Sequence, residues 1–93
     1  MNLTMTQLEN CFSTAKNLNY RYVAIQIDIL GYDRPETLIS PIQNFNRTLQ
    51  YFKEAYDDNL ILKESEGNIR IVNFVMADTY ETIEDELFNP YIN

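Results

Sequence analysis

The chain has 93 residues, and 45% of them are hydrophobic, which is enough for one modest core and argues against intrinsic disorder. Its 14 acidic and 7 basic residues give a net charge of −7, so its surface repels phosphates and anionic membranes, and direct binding to nucleic acid or to a membrane is not expected. The absence of His and the single Cys exclude an internal disulfide and a zinc site built from Cys and His ligands.

The beginning of the sequence lacks the basic and apolar regions of a signal peptide, and no apolar run approaches the roughly 20 residues that cross a membrane. We therefore expect a cytoplasmic protein. A chain of this length fits one domain, which we place at residues 1–93.

The first predicted element is a helix with one apolar stripe. Thr4 with Gln7, or Thr6 with Glu9, has the spacing of a capping box, and residues 17–19 are the predicted stop. The stripe recurs at three- and four-residue spacing and consists of Leu8, Cys11, Phe12, Ala15 and Leu18. Because Cys11 falls on this stripe, we expect its thiol to be buried and unreactive.

A strand with clean alternation is predicted next, over residues 22–29. One face carries Val23, Ile25, Ile27 and Ile29, and the intervening residues point the other way. Residues 31–35 have the composition of a turn. Residues 37–39 are predicted to return as a short hairpin partner, and Pro41 either ends this strand or marks it as an edge strand.

The second predicted helix has the most regular periodicity in the chain. Asn44 is its predicted N-cap, and Asn59 is the predicted left-handed residue beyond its end. Its apolar stripe consists of Phe45, Leu49, Phe52 and Tyr56. Phe52 lies in the middle of this stripe and Ile27 in the middle of the first strand, so both are predicted to be deeply buried.

A second hairpin is predicted from residues 60–63 and 68–76, with the turn at residues 66–68. In the longer strand, the odd-numbered residues of 69–75 should share one face and the even-numbered residues of 70–76 the other. Both faces are partly apolar, and we therefore expect this strand to be central in the sheet.

The last predicted element is a third helix, capped by Asp78 with Glu81 and stopped by Pro90. Its narrow apolar stripe is Tyr80, Ile83 and Leu87. The predicted order is then α-β-β-α-β-β-α. This order indicates an α+β fold with a four-stranded, mostly antiparallel sheet and helices packed on one face.

Acidic residues cluster in this last helix, and no Lys or Arg occurs after Arg70. Asp85 and Glu86 would lie near the negative end of the helix dipole, an arrangement that opposes helix stability. The cluster is either a solvated face or a partner-binding face, and its members are Asp78, Glu81, Glu84, Asp85 and Glu86.

Other polar and aromatic residues give weaker indications of function. A second acidic group lacks the spacing of a calcium-binding loop, so neither a metal site nor a cofactor is predicted; it comprises Asp57, Asp58, Glu64 and Glu66. No nucleophile motif or glycine-rich phosphate loop is present, and an enzyme is not expected. Four tyrosines fit no core stripe and are candidates for an interface: Tyr20, Tyr22, Tyr32 and Tyr91.

Three stretches, at residues 20–25, at residues 41–45 leading into 49–52, and at residues 55–60, resemble small acidic proteins of phages and mobile elements in Gram-positive bacteria. Some proteins of that kind inhibit host defence nucleases, a few by presenting carboxylates where DNA phosphates would sit. The resemblance implies that the acids of the third helix have this role.

The sequence therefore predicts a small acidic protein-interaction module. Its expected partner is a basic protein, with a nucleic-acid-binding protein inhibited by phosphate mimicry as the sharpest form of the hypothesis. A small-ligand or metal-binding domain is the alternative, and a hydrolase that uses paired carboxylates is a third. The oligomeric state is left open.

Overall fold

The structure, a computed structural model, describes residues 3–88. Its helices and strands are α1 (Met5–Asn17), β1 (Tyr22–Ile29), β2 (Glu36–Pro41), α2 (Phe45–Ala55), β3 (Ile69–Ala77) and α3 (Tyr80–Ile83). A short 3₁₀ turn, Ile42–Asn44, precedes α2, and a π-helical turn, Glu84–Phe88, continues α3. The predicted α+β class is confirmed. None of the helices within residues 3–88 has the length and apolar character needed to cross a bilayer.

The predicted fourth strand is wrong. Residues 60–63 contribute only isolated bridges to neighbouring segments, so the described order is α-β-β-α-β-α with three strands. Leu60 has a φ of +63°, in the left-handed region, which interrupts any extended run. Asp57 holds this bend, because its Oδ1 accepts hydrogen bonds from the backbone N–H groups of Asn59 and Ile61, at 2.9 and 3.0 Å.

The sheet has the strand order β2-β1-β3, and both pairings are antiparallel. β1 is therefore the central strand, and β3, which was predicted to be central, lies at an edge. Three consecutive residues of β1 are fully buried: Val23, Ala24 and Ile25. Because successive side chains point to opposite faces, this run shows that the sheet is covered on both sides.

A β-bulge in β3 explains why its predicted alternation fails. Gln26 pairs with Asn73 while the next residue of β1, Ile27, pairs with Ile71, which leaves Val72 as the extra residue. Beyond the bulge, the odd-numbered and even-numbered side chains of β3 exchange faces of the sheet. Ile71 before it and Phe74 after it consequently pack against the same core, although the sequence pattern assigned them to opposite faces.

The larger core lies between α1, α2 and one face of the sheet. Phe12 and Phe45 join the two helices edge to face, with ring centroids 5.4 Å apart. Phe52 is fully buried, as predicted. Ile27 is only half-buried, so its predicted deep burial is wrong; it lies beside the bulge and packs at the margin of this core.

The opposite face of the sheet carries a smaller core, and the prediction that all helices pack on one face is therefore wrong. Ile83 of α3 and Leu87 of the π-helical turn pack there against Ala24 and Ala77, all four being buried. The two alanines present little side-chain volume, which allows a helix to approach the sheet closely. α3 thus lies on the other side of the sheet from α1 and α2.

The ends of the helices follow the sequence only in part. The capping box of Thr4 with Gln7 begins α1, as predicted, and Asn19, with a φ of +58°, follows its end. Asn44 occupies the N-cap of α2 without a side-chain cap bond, and the extended residue Tyr56, not a left-handed Asn59, ends that helix.

Replacement of Phe52 by Ala should destabilise the protein by about 3–5 kcal/mol, because it removes a fully buried aromatic ring from the larger core. Urea unfolding followed by circular dichroism measures this change. The matched control is Tyr51→Ala, one residue earlier on the exposed side of α2, where Tyr51 is 54% exposed and about 1 kcal/mol or less is expected. Equal losses for the two variants would contradict the assigned packing of α2.

Candidate functional site

The acidic residues predicted to bind a partner lie on a segment that is held firmly against the sheet. Thr79, not Asp78, is the N-cap of α3, since its Oγ1 accepts a hydrogen bond from the backbone N–H of Thr82 at 3.1 Å. Ile83 and Leu87 face the smaller core. Four acids face solvent, and we call them the acidic surface: Glu81, Glu84, Asp85 and Glu86.

Asp78, the fifth predicted site residue, has a structural contact of its own. Its Oδ1 accepts a hydrogen bond from the backbone N–H of Arg21 at 3.3 Å, just before β1 begins. Tyr22 and Ala77, the sequence neighbours of Arg21 and Asp78, form a pair in the sheet. The contact therefore joins the end of β3 to the start of β1. Asp78 is exposed but lies before α3, and we do not include it in the acidic surface.

The acidic surface carries charge that the described chain does not neutralise. Within residues 3–88 a single ion pair forms, between Lys53 Nζ and Glu9 Oε2 at 3.0 Å, and it lies on α1 and α2. Asp85 and Glu86 lie in the π-helical turn that continues α3, on the C-terminal side of the helical segment, where a carboxylate opposes the helix dipole.

Two tyrosines form a stacked pair where β1 meets α3. The rings of Tyr22 and Tyr80 have centroids 4.9 Å apart and planes inclined by 21°. Hydrogen bonding to the Tyr22 phenol, together with its charge when ionised, raises the pKa of Tyr80. Tyr80, assigned by the sequence to an apolar stripe, is 56% exposed, and that part of the prediction is wrong.

The other tyrosines without a predicted core position have different surroundings. Tyr20 packs at the margin of the larger core, and Tyr32 is exposed. Tyr91 lies outside the described residues. Of the three that the structure describes, Tyr22 alone is placed beside the acidic surface.

An open groove of about 420 Å³ lies between the edge strand β2 and α3, and we call it the α3 groove. Ile39 forms one side, and Tyr80, Ile83 and Glu84 form the other. An apolar floor, an aromatic ring and a carboxylate thus line one depression beside the acidic surface. Sequence reasoning missed this groove. The available signal was that Ile39 and Tyr22 point to the same face of the sheet as Ala24.

Two further grooves lie on the side of the sheet that carries α2. One, of about 340 Å³, is lined by Tyr51, Glu54, Ala55, Leu62, Lys63 and Glu64, and we call it the Lys63 groove. The other, of about 220 Å³, is lined by Leu38, Asn44, Arg47, Thr48 and Tyr51, and we call it the Arg47 groove. Both contain a basic side chain of the chain itself.

The second acidic group shows no sign of metal chemistry in the part of the chain that the structure describes. No three His, Cys, Asp or Glu side chains between residues 3 and 88 come together as a metal-binding group. Asp57 of this group uses its carboxylate to fix the bend at residues 57–61.

Cys11 is buried in the larger core, as its position on the apolar stripe predicts. It is 7% exposed, and burial raises the pKa of its thiol from 9.0 to about 11. The thiol therefore stays protonated at neutral pH and is a poor nucleophile.

The raised pKa of Cys11 predicts how stability depends on pH. Between pH 9 and about 11 the unfolded thiol ionises while the folded thiol remains protonated, so the free energy of unfolding falls as pH rises through this interval. The loss should be about 2 kcal/mol larger in the parent than in Cys11→Ala, which lacks the group. Urea unfolding at pH 8 to 11 measures this loss. Both proteins contain the same tyrosines, so ionisation of tyrosine cancels in the comparison. Parallel curves for the two proteins would contradict burial of the thiol.

Comparison of the chain with protein-family models, with curated proteins and with solved structures finds no match. The resemblance to small acidic proteins of phages and mobile elements remains a hypothesis.

Proposed function

We propose that this protein is an interaction module that binds a basic surface of a partner protein through its acidic surface. The observation that carries the proposal is a set of four exposed carboxylates, on a segment packed against the sheet, that form no ion pair with any residue between 3 and 88. Surface acids that serve only solubility need no such anchoring.

The anchoring of α3 favours recognition over a diffuse charge effect. The side chains of Ile83 and Leu87 are buried, and the cap at Thr79 and the stack of Tyr80 on Tyr22 fix the start of the helix. A charge held in place loses less conformational entropy on binding than one on a mobile chain. Negative charges in a fixed arrangement also steer a basic partner and raise its association rate.

The partner class that best fits this surface is a nucleic-acid-binding protein. Such proteins present clustered Lys and Arg that contact phosphates, and the carboxylates of the acidic surface would occupy the positions of those phosphates. In this form the protein is an inhibitor by phosphate mimicry, acting in the cytoplasm. The resemblance to acidic proteins of phages and mobile elements supports the same interpretation.

The proposal is tested by removing charge from the acidic surface without changing side-chain size. The variant Glu81→Gln, Glu84→Gln, Asp85→Asn removes three negative charges, and its stability should change by about 0.5 kcal/mol or less per site. Immobilised wild type should retain basic, DNA-binding proteins from a lysate at low salt, release them at high salt and release them to added duplex DNA. The variant should retain much less.

A matched control separates the acidic surface from total charge. Glu36→Gln, Glu64→Gln, Glu66→Gln also removes three negative charges, from exposed residues outside α3. This control should retain partners as the wild type does. If both triple variants lose binding equally, net charge alone is responsible, and if neither loses it, the acidic surface is a solubility feature.

A further inference from the structure

We infer that the α3 groove receives an arginine side chain of the basic partner. This inference rests on the proposed function and deepens it, because it specifies one side chain of the partner and the residues that recognise it. The acidic surface supplies attraction at a distance, whereas the groove supplies contact at one point.

The lining of the groove matches the parts of an arginine side chain. Ile39 offers an apolar surface to the methylene stem, which long basic side chains bury readily, and the buried Ile83 closes the floor beneath it. Glu84, at the rim, offers a carboxylate to the guanidinium group. The ring of Tyr80 offers a face on which a planar cation stacks.

The Tyr80 ring at the groove is held in place by a neighbouring ring. Tyr22 covers one face of the ring at a centroid distance of 4.9 Å, and the ring is still 56% exposed, so its other face remains accessible. A ring held by a neighbour loses little rotamer freedom when a ligand stacks on it.

Unlike the Lys63 groove and the Arg47 groove, the α3 groove has no cation among its described lining residues. In the Lys63 groove, Lys63 Nζ donates a hydrogen bond to the backbone carbonyl oxygen of Glu54 at 3.1 Å. In the Arg47 groove, Arg47 Nη2 donates to Asn44 Oδ1 at 3.1 Å. Each of these two sites combines a tyrosine with the chain's own basic residue. The α3 groove combines Tyr80 with Glu84, and none of its described lining residues is basic.

Arginine fits the groove better than lysine for a geometric reason. The guanidinium group is planar and weakly hydrated, so it can stack on Tyr80 while it donates to Glu84, whereas an ammonium group is a compact, strongly hydrated charge. The groove should therefore discriminate between the two cations, which the acidic surface alone would not do.

The test uses fluorescein-labelled hexa-arginine and hexa-lysine peptides and the complete protein, with affinity measured by fluorescence anisotropy at low ionic strength. We expect hexa-arginine to bind about threefold more tightly than hexa-lysine. Tyr80→Leu should weaken hexa-arginine binding about threefold and abolish the preference, whereas Tyr80→Phe, which keeps the ring, should preserve it. Thermal unfolding verifies that each variant is folded.

Two matched controls locate the effect. Tyr51→Leu removes a tyrosine of similar exposure, 54%, from the other two grooves, and should leave both affinities unchanged. Glu84→Gln should weaken hexa-arginine binding about threefold and Glu86→Gln distinctly less, because Glu86 does not line the groove. In methyl NMR spectra, hexa-arginine should shift the signals of Ile39 and Ile83 but not that of Ile71, in the larger core.

The possible failures are distinguishable. If the triple variant of the acidic surface weakens peptide binding while Tyr80→Leu does not and no arginine preference exists, the groove inference is overturned and the proposed function stands. If the triple variant binds hexa-arginine as tightly as the wild type, the proposed function fails as well. If the Ile39 and Ile83 signals shift with protein concentration in the absence of peptide, the groove is occupied by a second copy of the chain, and the inference is overturned.

Discussion

The burial of β1 on both faces is the constraint on which the other features of this structure depend. Val23 and Ile25 fill the larger core, whereas Ala24 between them leaves room for a helix on the opposite face. A three-stranded sheet with one bare apolar face would be poorly stable in water. The chain covers that face with Ile83 and Leu87, and this packing decides where α3 lies.

The position of α3 in turn determines which groups this surface presents to a partner. Because one side of the α3 segment is buried against the sheet, its carboxylates project into solvent as a fixed group. The same packing creates the α3 groove, since α3 lies beside Ile39 of the edge strand without closing on it. Charged, aromatic and apolar groups thus lie side by side because α3 packs on the sheet. The proposed recognition of a basic partner uses all three kinds of group.

Sequence patterns predicted the features that depend on local periodicity. The stripe of α2 predicted the burial of Phe52, and the capping box at Thr4 predicted the start of α1. They failed where the backbone departs from the period: the bulge at Val72 reverses the parity of β3, and residues 60–63 begin with the left-handed Leu60 and form only isolated bridges instead of a fourth strand. The acids of α3 are visible in the sequence, but the groove depends on Ile39, some forty residues earlier, which no local pattern connects to Tyr80.

We propose that the position of the acids on the second face of the sheet, and not their number, produces binding. The most direct measurement is the affinity of the variant Ala24→Leu for hexa-arginine. The larger side chain should displace α3 while it leaves every charge in place, at a cost in stability of about 1–3 kcal/mol. With the α1 and α2 core verified as intact by NMR, we expect the affinity to fall as far as in the triple variant of the acidic surface. An affinity equal to that of the wild type would contradict the claim.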